Sequence, residues 1–71
     1  MSILDQVAAK SYSFRSALAT FRQQIGTGSQ SWAKGYAQGV LLALWEQQVI
    51  TNADLDLAGK ALTAVEKGGK A

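Results

Sequence analysis

The chain has 71 residues, seven Lys and Arg against five Asp and Glu for a net charge of +2, and no Cys, His or Pro. So short a chain makes one domain, 1–71, near the lower limit at which an apolar core offsets chain entropy, and it lacks disulfide, thiolate-metal and imidazole staples. The charge excess is too small to argue for nucleic acid by itself, and the pI of about 9.2 overstates it because no His buffers the curve.

With those staples excluded, well-capped helices and oligomerisation are left to stabilise the fold, and the many Ala, Leu, Gln and Lys favour helix. The start, Met1-Ser2-Ile3-Leu4-Asp5, lacks the basic beginning and long apolar core of a signal peptide, so a cytoplasmic location is expected. The longest apolar run, residues 40–45, is far short of the ~20 residues that span a bilayer. No membrane span is expected.

The first helix is predicted over about residues 3–25. Ser2 is placed as its N-cap and Asp5 as an acid at the third helical position, a relative of the capping box. Leu4, Val7, Ser11, Phe14, Leu18, Phe21 and Ile25 then recur at alternating spacings of three and four, a stripe suited to burial against another helix. Tyr12-Ser13 is a weak point in propensity where a helix can kink, but packing commonly overrides propensity and one continuous helix is expected. Gly26 stops it. Gly26-Thr27-Gly28-Ser29 reads as a helix stop and start and not as a phosphate cradle, because no Lys-Ser/Thr comes after it in register and no strand precedes it. Thr27 with Gln30, or Ser29 or Ser31 alone, is the candidate cap for the second helix.

That second helix is predicted over about 30–49, antiparallel to the first because the connection is short. At 3.6 residues per turn, Trp32, Tyr36, Ala43 and Ile50 share one flank. Ala33, Ala37, Val40 and Leu44 share the next, and Leu41 and Trp45 lie beyond. The polar remainder is Lys34, Gln38 and Glu46, with Leu42 and Val49 among them. A helix apolar nearly all round must be covered nearly all round, and the rest of this chain offers little to cover it. A second copy or a different protein partner is therefore expected. Gly35 and Gly39 lie one turn apart with Ala43 a further turn on, and each interior Gly disfavours helix by about 1 kcal/mol relative to Ala. Either another backbone approaches closely there, or a loose core tolerates them.

The third helix is predicted over about 52–67. Thr51 is its N-cap and Asp54 the third-position acid, with Ile50 and Leu55 set to form a hydrophobic staple. Leu55, Ala58, Leu62 and Val65 form its apolar face, and residues 68–71 are expected to fray. Residues 41–62, with Ile50-Thr51 at the turn, resemble the short helix-turn-helix type called SHOCT, in which an Ile-Thr turn joins two small helices at the ends of many bacterial proteins. The resemblance covers under half of the chain, consists of a cap and apolar spacing, and carries no function with it.

Catalysis is disfavoured by residue type, since without His or Cys the usual base-activated nucleophiles and thiolates are missing. Asp54 and Asp56 point about 200° apart on a helix, which suits neither shared acid–base work nor a metal, and they read as charge at a helix N-terminus. Glu46, within an apolar helix, reads as a solvated or ion-paired edge residue. Neither a cofactor nor a metal is expected. Lys10, Arg15 and Arg22 along the first helix are the candidate phosphate contacts, helped by Gln23 and Gln24, but three bases make a thin footprint. Phe14, Phe21, Trp32 and Tyr36 are assigned to the core. Trp45 is the aromatic that cannot share their pocket and is read as an interface anchor.

The expectation is an all-α fold, a helical hairpin of two long antiparallel helices plus a shorter third (a three-helix bundle), forming an oligomer. Phe14, Leu18, Phe21, Val40 and Leu44 build its core. Its expected function is a non-catalytic protein–protein interaction module that self-associates as a homodimer and acts as a small adaptor, regulator or inhibitor of a larger protein. Gly35, Gly39, Leu41, Leu42, Trp45 and Val49 form its interface. Competing readings are a nucleic-acid-binding accessory protein using Lys10, Arg15 and Arg22, and a structural subunit of a phage or plasmid assembly.

Overall fold

The computed structural model describes residues 2–68, which form four helices and no strand. They are α1 (Ile3–Lys10), α2 (Tyr12–Gln24), α3 (Gln30–Glu46) and α4 (Asn52–Glu66). The described chain is all-helical, as expected, but the count is four and not three. Of residues 68–71, expected to fray, 69–71 lie outside the described residues.

The extra helix arises at Ser11. Ser11 has extended backbone angles (φ −146°, ψ 117°), ending α1 and beginning α2. Its N–H still donates to Val7 O at 3.1 Å, while its hydroxyl accepts from the Phe14 N–H at 3.1 Å. One residue thus closes one helix and caps the next, which lets the chain turn without leaving buried backbone groups unpaired. The apolar stripe survives the break: Leu4, Val7, Phe14, Leu18 and Phe21 are all buried.

The other ends obey local chemistry. Ser2 caps α1, accepting from the Asp5 N–H at 3.2 Å. Ile25 (φ −58°, ψ 128°) and Gly26 (φ 83°) form a type II turn closed by the Thr27 N–H on Gln24 O at 3.0 Å. Helix α3 ends at Glu46, three residues before its expected end. The Val49 N–H donates to Leu44 O at 2.9 Å and the Gln48 N–H to Trp45 O at 3.0 Å, the Schellman pattern, with Gln48 in the left-handed conformation (φ 62°) that Gly ordinarily takes. Thr51 and Asp54 make a full reciprocal capping box at the head of α4.

Helix α2 packs on α3, α3 on α4, α4 on α1 and α1 on α2, closing a ring around one core. The two phenylalanines of α2, Phe14 and Phe21, are fully buried, and so are the alanines Ala33 and Ala37 of α3. Large side chains on one helix and small ones on the other let the axes approach closely. This choice decides which flank of α3 faces inward. Ala33, Ala37, Leu41 and Leu44 are buried and Val40 is half-buried, whereas Trp32 and Tyr36, expected in the core, stand outside at 65% and 44% exposure.

Candidate functional site

Among the described residues no polar or charged side chain is buried, and no group of three or more Asp, Glu, His or Cys is placed to hold a metal ion. No described helix is long and apolar enough to cross a membrane. Asp54 is occupied by the α4 capping box, and Asp56 pairs with Lys60 one turn on at 3.0 Å. The chemistry on offer is that of surfaces.

Three surfaces carry the residues singled out from the sequence. The first is the outer face of α3. At 100° per residue, Gly35, Gly39 and Glu46 run along its mid-line, Trp32, Tyr36 and Ala43 along one edge, and Leu42 along the other. All seven are exposed. Trp32 and Tyr36 stack with ring centroids 5.7 Å apart and planes inclined by 22°. A Cβ added at Gly35 or Gly39 would meet no atom within 4 Å. The chain itself therefore supplies no close backbone approach at these glycines. Glu46 is the one charge on the face and has no ion-pair partner among the described residues. Lys34, to the side, is taken up by Glu66 of α4 at 2.9 Å.

The second surface lies beside the first, where α3 meets α4. Gln38, Leu41, Leu42, Leu55 and Gly59 line a shallow groove there. Leu42 is exposed at its rim, while Trp45 and Val49 do not line it but are exposed near the α3–α4 turn, where the Trp45 indole N–H donates to Asn52 Oδ1. Leu41 is 1% exposed and belongs to the core. Of the six expected interface residues, then, Gly35, Gly39, Leu42, Trp45 and Val49 are on the outside and Leu41 is not. Trp32 and Tyr36 are surface residues that sequence reasoning misses, because two apolar flanks of α3 compete for the interior.

The third surface is a groove between α1 and α2 lined by Asp5, Ala8, Ala9, Arg15, Leu18, Ala19 and Arg22. It brings Arg15 and Arg22 together. Asp5 lies in the same groove and approaches Arg22 at 3.7 Å, so the local charge is partly cancelled. Lys10, the last residue of α1, is exposed and does not line it.

One carboxyl has a clear shift. Glu66 is held below the usual carboxylate range, first by the hydrogen bond from Lys34, further by the charges of Lys34 and Lys67 and a contact with Gln30, against a partial loss of solvent. The Lys34–Glu66 tie joins the start of α3 to the end of α4 and has a structural role.

Comparison of the chain with protein-family models, with curated proteins and with solved structures finds no match.

Proposed function

We propose that this protein is a non-catalytic interaction module that self-associates as a homodimer through the outer face of α3 and serves as a small adaptor, regulator or inhibitor of a larger protein. The observation that carries the reading is that face itself. Trp32, Tyr36 and Leu42 are 65%, 44% and 49% exposed on one helix, beside two glycines with nothing over them and a single charge. Aromatic side chains on a face almost bare of charge are the composition of interface centres. The small net charge of +2 sets little repulsion against the meeting of two copies. The nucleic-acid reading has less support, since one of its three bases is shared with Asp5 and another stands apart.

Sedimentation equilibrium across the micromolar to millimolar range tests it, comparing the natural chain with Gly39→Arg. The space above Gly39 is open, so the substitution leaves the monomer folded and favours its helix by up to about 1 kcal/mol. Dimer formation is expected for the natural chain and its loss for the variant. Two monomers, or two equal dimers, would remove this face as the site of association.

A further inference from the structure

The outer face of α3 also dictates how a second copy must lie, an inference that rests on the self-association just proposed. The charges of α3 are placed against its own dipole. Its first turn has no acidic residue, Ser29 makes no side-chain cap bond, its last turn has no basic residue, and its final residue is Glu46. The positive end of the helix thus has no acid of its own, the Glu66 carboxylate of α4 lying to the side against Lys34 and Gln30, while a carboxylate sits at the negative end. No ion pair among the described residues relieves Glu46.

We infer that two copies pair antiparallel along α3 about a two-fold axis at Gly39, so that Glu46 of each copy lies over the start of α3 of the other. The register is set by the positions on the face. With Gly39 opposite Gly39, Trp32 is level with Glu46 of the second copy, Gly35 with its Ala43, and Tyr36 with its Leu42. A two-fold of this kind sets like edges together. Leu42 then falls over the open side of Gly35 in the second copy, and Tyr36 over Ala43, so each bulky side chain meets a small one. The Glu46 carboxylate arrives near the Ser31 and Trp32 backbone N–H groups, those of Gln30 and Ala33 being taken by Thr27 O and Ser29 O, and near the indole N–H of the exposed Trp32, donors that suit it. A parallel pairing would place Glu46 against Glu46 on the mid-line and bring no carboxylate to the outer side of either helix start. Charge therefore selects the antiparallel arrangement.

The absence of Cys allows a single nitroxide label to be introduced through Ser31→Cys, at an exposed position near the start of α3. In the antiparallel dimer the two labelled positions are separated by about 24 Å along the axis, from a rise of 1.5 Å per residue. In a parallel one they stand side by side, roughly 10 Å apart before the tethers are counted. A second arm measures the dimer dissociation constant of Glu46→Gln. Loss of two favourable charge–dipole contacts per dimer weakens association roughly three- to thirtyfold, whereas a parallel dimer is tightened by removing the repulsion. Wide label spacing together with weaker association supports the inference. Close spacing, or association unchanged or tightened in Glu46→Gln, overturns it while leaving self-association standing. A chain that stays monomeric to millimolar concentration overturns both.

Discussion

At the scale of single residues, the most exacting position is Gln48. It sits at φ 62° immediately after α3, completing the bond pattern that turns the chain toward α4. A side chain with a Cβ in that conformation is strained by about 1 kcal/mol relative to Gly. Gln48→Gly is therefore expected to raise stability by about 1 kcal/mol, seen as a higher urea midpoint at unchanged slope. Gly26 is the mirror case. Its φ of 83° makes Gly26→Ala destabilising by about 1 kcal/mol in the same titration. The same two positions explain an uneven legibility. Gly26 announces the end of α2 in the sequence, and Gln48 announces nothing, so α3 reads three residues too long. Trp32 and Tyr36 are illegible for a different reason. Periodicity shows that α3 is apolar on adjoining flanks, but the inward flank is decided by how α3 packs on α2 and α4, contacts between segments that no local pattern encodes.

At the scale of elements, helix starts marked by a side-chain signature are where the sequence is most informative. Ser2 with Asp5, and Thr51 with Asp54, are recognisable because the donor and acceptor lie three residues apart in both. Ser11 is hidden because it keeps the three-and-four spacing of the stripe on either side, so the two short helices imitate a single long one. Its hydroxyl takes the Phe14 N–H, and Ser11→Ala is expected to lose about 1 kcal/mol of stability. Amide exchange should accelerate first at Phe14 and the start of α2. If exchange there is unaltered, the Ser11 cap is not what holds the joint. The outer face of α3 is half legible. Glycine spacing and the polar remainder point to it, while Leu41 reads as outward and proves to be interior.

At the scale of the whole molecule, the tie from Lys34 to Glu66 fastens the two ends of the α3–α4 pair, with side chains 17% and 27% exposed. The folded-state pKa of Glu66 lies below its ordinary value of 4.5. A depressed carboxyl contributes stability that is present above the unfolded-state pKa and is lost as pH falls through the folded one. Thermal melts are thus expected to fall off in acid below that range, and Lys34→Gln should reduce the acid-side loss while leaving the profile near neutrality shallow. An identical acid slope in both proteins would show that other carboxylates account for it. The radius of gyration, 11.0 Å, matches the roughly 11 Å of a compact 71-residue chain. The four helices are therefore gathered about as tightly as the chain length allows.

The ring of helices has one further consequence, for the order in which it assembles. Three of its four packed pairs join helices that are consecutive along the chain, and only α1 against α4 bridges distant segments. Contacts between close segments form early because little loop entropy opposes them. Closure of α1 against α4 is thus expected to be the late event of folding, and that contact the first to reopen.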